Sequence, residues 1–284
     1  RSRARWVRVD SFEQLDVGSY EFLVGTFWKT VGEAYEIAGV HAVHLCQGYE
    51  GSFTVYQPIK AEIDAAYRLP IPKITVSRHL VDVCRQFHPD AEYVGQIVDD
   101  DFYQPHTPAT GPPRVLLVGP AQADFKGIDI GYDAVRRARS KGAEFDLIRA
   151  SQWDPAADEP VSLSAEFHVG RDTAGMVRLF ATAHLFLGSS RWPEGFGLPA
   201  AEAMASGVPT ILTSIPSFRS WNPAMDHARF VAEEDGKGMG DALVDLLDDP
   251  AERARLSAKG REVVEQFRGP LTGKRLEEYF WGRR

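Results

Sequence analysis

Residues 191–209 read RWPEGFGLPAAEAMASGVP, and the fold turns on how this stretch is read. Glu194 and Glu202 stand with seven residues between them, and a Gly195-Phe196-Gly197 turn follows the first and leads into a helix from Pro199 to Ser206. The turn exposes backbone N–H groups and the helix N-terminus carries partial positive charge, so an anion is favoured there. Glu194 precedes the turn and Glu202 lies about one turn inside the helix. One carboxylate can then approach a sugar while the other hydrogen-bonds a ribose, with phosphates between them. Taken alone, the same residues also describe a glycine turn opening an ordinary helix with a solvated Glu202.

Outward from this stretch, short apolar runs alternate with longer amphipathic ones, the pattern of βα units around a parallel sheet. Upstream lie a strand at Leu185 to Leu187, a helix from Thr173 to Ala183, a strand at Phe145 to Ile148 and a helix from Ile130 to Lys141. Arg114 to Gly119 reads as a strand buried on both faces, because three branched apolar residues follow in a row. Downstream come a strand at Pro209 to Leu212 and a long helical tail from Gly240. The segment Val98 to Pro113, with its aspartates, prolines and Gly111-Pro112-Pro113, reads as a linker. Before it, strands are expected at Glu21 to Thr26, Val40 to Leu45, Lys73 to Ser77 and Tyr93-Val94. Helices are expected through Val31, Ala34 and Ile37, from Pro58 to Tyr67, and on to about Phe87. Two α/β domains joined near residue 105 follow, with ligands expected at the strands' carboxyl ends.

Composition narrows the function. In 284 residues, 44% are hydrophobic and 25% charged, the mix of a globular protein, and a net charge of −8 argues against a nucleic-acid partner. No apolar run reaches the roughly 18 to 20 residues of a membrane span. The basic start, Arg1 to Arg8, has no apolar core after it and reads as a solvated terminus, contact with anionic lipid being the alternative. The two cysteines, Cys46 and Cys84, cannot form a disulfide framework and read as reduced thiols of a cytoplasmic protein. There is no Gly-x4-Gly-Lys phosphate loop, no Gly-x-Gly-x-x-Gly after an opening strand and no serine elbow. Histidines and cysteines show no zinc spacing. Asp99-Asp100-Asp101 invites a metal, but is read as a turn.

The chain resembles the retaining GT-B glycosyltransferases of family 4, the glycosyl transferases group 1. PEGFGLPAAEAMASGVP carries the glutamate–seven residues–glutamate motif of that family. LLVG at 116–119, Lys126-Gly127, LFATAHLFLGSS at 179–190 and DLLDDPAERARLSAKGREVVEQF at 245–267 are similar to its flanking elements. ITVSRHLVDVC and VDDDFYQP resemble the end of its first domain. The resemblance implies an α/β GT-B fold of two Rossmann-like domains with parallel sheets. Residues 1–105 would form a partial, acceptor-side N-terminal domain, 106–268 the donor-binding domain, and 269–284 a helix crossing back to the first.

It implies transfer of a sugar from a nucleotide diphosphate-sugar to an acceptor hydroxyl on a polysaccharide, glycolipid or small-molecule glycoside, with retention and with no metal or other cofactor. Glu194 would face the donor sugar, Glu202 the ribose hydroxyls, and Lys126 the diphosphate. The amides of Gly197 and Leu198 would complete the phosphate cradle, with Gly119, Gly195 and Phe196 joining the donor site. Val169, in the stretch Phe167 to Gly170, falls where the nucleobase packs, a plain strand end being the alternative. A cytoplasmic location is implied, with room for peripheral contact at the inner face of the membrane.

Two departures stand out. The position after Gly119, an arginine in many family members, is Pro120; Gln122 substitutes for it, or Lys126 acts alone. The first-domain strand that often ends in a sugar-facing histidine ends here in Cys46-Gln47. That points to Gln47 near the acceptor and leaves His44 as a packed strand residue. Only about 20 residues precede the first strand, so the front of the first domain is expected to be missing. A shortened chain, a proteolytic product, or a reduced member completed by a partner chain would each account for it. The competing reading is a catalytically incomplete nucleotide-binding subunit or fragment; a third is an epimerase or phosphorylase.

Overall fold

The computed structural model describes residues 7–9, 14, 18 and 20–282. Arg1 to Trp6 of the basic start, and Arg283 and Arg284 of the helix expected over 269–284, lie outside the described residues. The chain divides into two compact units, Arg1–Val76 with Leu80–Tyr93, and Ser77–His79 with Val94–Arg284.

In the first unit, β1 (Leu23–Gly25), β2 (Ala42–Cys46), β3 (Lys73–Thr75) and β4 (Ala91–Tyr93) form a four-stranded sheet in chain order, every pair parallel. Helices α1 (Trp28–Ala38), α2 (Lys60–Tyr67) and α3 (Arg78–Arg85) make the crossovers. Val31 and Ala34 of α1 pack with Ala42 and Ile71 in a small core, as the helical spacing of the apolar residues requires.

The second unit carries a six-stranded parallel sheet of β5 (Arg114–Val118), β6 (Asp146–Ser151), β7 (Glu166–Val169), β8 (Leu185–Gly188), β9 (Thr210–Thr213) and β10 (Arg229–Val231). Its order is β10-β9-β8-β5-β6-β7, the doubly wound order in which the chain starts in the middle and reverses direction once. Val115, Leu116 and Leu117 are buried on both faces of β5, as their unbroken apolar run predicts. α4 (Ile128–Ser140), α5 (Thr173–Thr182), α6 (Leu198–Ala205) and the short α7 (Pro216–Arg219) connect the strands.

The helical tail consists of three helices, α8 (Gly236–Asp248), α9 (Pro250–Val264) and α10 (Gly269–Trp281). Asp235 caps α8 by accepting the Gly238 N–H at 2.7 Å. Asp249 caps α9 through Glu252 N–H at 2.9 Å with Pro250 in its first turn, which separates α9 from α8.

The linker is not free chain. Val98 N–H donates to Phe267 O at 3.0 Å, Tyr103 Oη to Val264 O at 2.7 Å, and Thr272 Oγ1 to Gln96 O at 3.1 Å. These contacts fasten residues 96–103 to the junction of α9 and α10, so this segment folds with the second unit.

Candidate active site

In a doubly wound sheet the crevice lies outside the carboxyl ends of the two strands where the order reverses, here β5 and β8. At the end of β5, Gly119 takes φ 135° and its N–H donates to Ala150 O at 2.9 Å, so that amide is not offered to a ligand. What Gly119 supplies is room: a Cβ there would stand 3.2 Å from Lys126 Cγ. Lys126 closes a 3-10 turn, Asp124–Lys126, and lays its stem across this glycine. Its Nζ reaches Glu194 Oε2 at 2.6 Å, with the two side chains 17% and 8% exposed. Ser190 Oγ, just beyond β8, donates to the same oxygen at 3.1 Å. The two residues expected to handle sugar and diphosphate are therefore an ion pair.

Arg191 sets this pair in place. Its guanidinium meets Asp129 at 2.6 and 2.8 Å and Glu234 at 2.5 and 3.1 Å, and donates to Asp124 O at 2.9 Å. Its own N–H donates to Phe125 O at 2.8 Å. The turn bearing Lys126 is thus clamped to the loop bearing Glu194.

A cavity of about 540 Å³ within the second unit is lined by Lys126, Gly119, Leu198, Glu202, Asp99 and Arg171, among others. Gly197, at φ 87°, starts α6 where a Cβ would lie 2.1 Å from Phe218 Cε1, so only glycine fits. In the first turn of α6 the Ala200 N–H already donates to Gly197 O at 3.0 Å and Pro199 has no N–H, so the amides placed to face an anion are those of Gly197 and Leu198. Gly195 is buried in the turn. Burial, and next the charge of Asp99, push the Glu202 carboxyl up to about 8, with Lys126 opposing.

Other expected residues fall elsewhere. Phe196 faces the core, 5.2 Å from the Trp221 ring and 4.9 Å from Phe267, and so anchors the turn rather than touching the cavity. Val169, 42% exposed at the end of β7, does not line the cavity; Gln152, Arg171 and Met176 form that wall. Gln47 belongs to the first unit and is exposed after β2. His44 is fully buried there, edge-on to Tyr67 at 4.7 Å, and burial lowers it to about 3, the behaviour of a packed strand histidine. Asp99 accepts the Asp101 N–H at 3.0 Å and Asp100 pairs with Arg268 at 2.9 Å, so the acidic run is a turn with one carboxylate on the cavity. Cys46 and Cys84 are buried free thiols.

The reading of the sequence passed over Arg149. Fully buried on β6, it donates to Leu117 O at 2.9 Å, Ala150 O at 3.0 Å and Gly119 O at 2.8 Å, and pairs with buried Glu159 at 2.8 Å. It ties together the carbonyls behind the loop that carries Gly119. The only signal was an arginine directly after an apolar run.

The fold is that of GT-B proteins, two parallel-sheet units of which the second holds a cavity at its strand ends. Sucrose-phosphate synthase from Thermosynechococcus elongatus shares this fold, with a TM-score of 0.77 at 18% identity over 93% of this chain and 73% of that one. Residues 158–263, within the second unit, match the family model described as Glycosyl transferases group 1. MMP alpha-(1->4)-mannosyltransferase of Mycolicibacterium hassiacum is 29% identical over 178 residues, 60% of this chain and 43% of that protein. Phosphatidyl-myo-inositol mannosyltransferase of Mycolicibacterium smegmatis is 26% identical over 157 residues, 54% of this chain and 41% of that protein. The chain thus spans less than half the length of these relatives.

Proposed function

We propose that the cavity binds a nucleotide diphosphate-sugar, with a mannosyl donor first to be tried, and that the protein transfers the sugar to an acceptor hydroxyl with retention. The observation that carries this is the Lys126–Glu194 ion pair at 2.6 Å beside the N-terminus of α6. An arriving diphosphate competes for Lys126 and draws it off Glu194, which frees the carboxylate for the sugar. As the C1–O bond to the diphosphate breaks, negative charge grows on the phosphate and positive charge on the sugar. Lys126 and the amides of Gly197 and Leu198 answer the first charge and Glu194 the second, a pre-aimed electrostatic arrangement. The acceptor oxygen bonds to C1 on the same face and gives its proton to the departing phosphate. With Lys126 and the helix N-terminus serving the phosphates, this scheme uses no metal.

The relatives' names, both mannosyltransferases and one acting on phosphatidyl-myo-inositol, support a mannosyl donor and a lipid-linked acceptor. No helix among the described residues is long and apolar enough to cross a membrane. Our reading is of an enzyme acting on the cytoplasmic side, in peripheral contact with the membrane when its acceptor is a lipid.

Thermal unfolding against UDP, GDP, dTDP and ADP tests the donor site. A nucleotide at about one hundred times its dissociation constant adds about 2.7 kcal/mol, a shift of several degrees at roughly 2–4 °C per kcal/mol. One nucleotide should stabilise the protein and lose its effect in Lys126→Ala. A flat response to all four removes the proposal. Stabilisation without transfer to any acceptor would select the binding-only reading.

Glu202 gives a pH signature. If ribose hydroxyls donate to it, binding favours the ionised form and expels the proton that burial retains below about pH 8. Nucleotide affinity should then rise with pH between 7 and about 8 and level off above. Calorimetry in buffers of different ionisation enthalpy reads the released proton directly. Glu202→Gln should weaken binding and flatten the slope; a slope unchanged in that variant would remove the ribose role.

A further inference from the structure

A second cavity, of about 610 Å³, lies at the other edge of the same sheet. His184 and Pro209, in its wall, immediately precede β8 and β9, so it sits at the strands' amino ends, whereas Lys126 and Gly119 sit at the carboxyl ends. His106, His184, Arg253 and Arg261 converge on it, and no aspartate or glutamate lines it. In a chain with 40 acidic against 32 basic residues, such a one-signed cluster is not a sample of the surface.

Much of the cluster is held in place by the backbone. His184 Nδ1 accepts the Arg114 N–H at 3.0 Å, which leaves its proton on Nε2. His106 Nε2 bonds to Ala183 O at 2.7 Å. Arg253 Nη1 donates to Leu246 O and Leu247 O at 2.5 and 2.7 Å and so caps α8. Arg261 Nη2 donates to Gln104 O, while its Nε is buried with no partner. The guanidinium of Arg261 fills the place a side chain at position 207 would take, 2.7 Å from a Cβ there, and His106 Cβ is 3.0 Å from the same point.

The charges are not balanced locally. Burial lowers both histidines, and the charges acting on them are all cationic: Arg261 on His106, and Arg253, His106 and Arg114 on His184. Holding the like charges of Arg253 and Arg261 beside one cavity costs stability unless an anion neutralises them, and an anion there would also favour protonation of the two histidines. Guanidinium groups are the side chains best matched to phosphoryl oxygens.

We propose that this cavity is a second ligand site, separate from the donor cavity, that takes a phosphoryl-bearing anion, supplied by a soluble phosphorylated molecule or by a lipid headgroup. The test uses inorganic pyrophosphate on Lys126→Ala protein, in which the donor cavity has lost its lysine. The ring-proton NMR signals of His106 and His184, assigned with His106→Gln and His184→Gln, should shift together and saturate. Arg261→Gln should weaken the binding about tenfold or more. His184→Gln, which leaves the arginines in place, should weaken it by a smaller factor and keeps the test open if Arg261→Gln does not fold. Histidine signals that stay still at millimolar pyrophosphate overturn the proposal, as does binding that neither variant weakens. Cosedimentation with phosphatidylglycerol vesicles separates the sources. Pelleting that pyrophosphate competes away and Arg261→Gln abolishes assigns the site to a lipid headgroup. Pyrophosphate binding without pelleting assigns it to a soluble anion.

Discussion

Glu194→Gln is expected to lower sugar transfer on the order of a hundred- to a thousandfold while nucleotide affinity holds or rises. Glutamine keeps an oxygen for Lys126 and Ser190, which lie 2.6 and 3.1 Å from the carboxylate, so the loop keeps its shape. What it loses is the negative charge that faces the developing positive charge on the sugar. The same loss releases Lys126 from its ion pair, so a diphosphate no longer has to compete for it. Turnover and nucleotide affinity, measured on the same preparation, therefore move apart. A variant that turns over at the full rate removes Glu194 from the chemistry, and one that loses nucleotide binding reduces it to a structural support.

Glu159→Ala carries the second large effect, on stability. Glu159 and Arg149 are 2% and 0% exposed, and Glu159 also accepts from Tyr132 Oη at 3.0 Å. Removing the carboxylate leaves a buried guanidinium without its counter-charge, at a cost of about 3–5 kcal/mol. At roughly 2–4 °C per kcal/mol, that lowers the midpoint by on the order of 10 °C. Replacing both partners, as Arg149→Met with Glu159→Leu, should recover part of the loss, because the uncompensated charge goes with the arginine. A single variant that melts with the parent would show that the pair is solvated in solution. Since Arg149 also holds Gly119 O and Leu117 O, the double variant should bind nucleotide more weakly even where its stability returns.

Both effects depend on residues whose weight the sequence conveys unequally. The elements of the second unit were legible because their apolar periodicity is local: Val115 to Leu117 read as a doubly buried strand and is one. The boundaries that failed are those set by capping or by partners far along the chain. The helical tail is divided between α8 and α9 where Asp249 and Pro250 intervene, and β6 runs on to Ser151 because its pairing with β5 and β7 continues past the apolar run. Two elements, α7 and β10, carry too few residues for a periodic signal. In the site, Glu194, Glu202, Lys126, Gly197 and Leu198 were named from the motif. Phe196 was misjudged because an aromatic next to a phosphate-binding turn reads the same whether it faces a ligand or, as here, Trp221 and Phe267.

The sequence by itself determined the alternation of strands and helices, the glycine turn that opens α6, and the spacing that puts Glu202 one turn inside that helix. All three follow from backbone preferences acting over a few residues. The tertiary structure decided the strand order that puts β5 beside β8, and with it the meeting of Lys126 and Glu194 across 68 positions. It also decided that Arg191 is a clamp and Arg149 a buried tie, and that Glu202 holds its proton to about pH 8. A charged residue has the same letter in water and in the core. Its partners, and the dielectric around it, exist only once distant segments have packed.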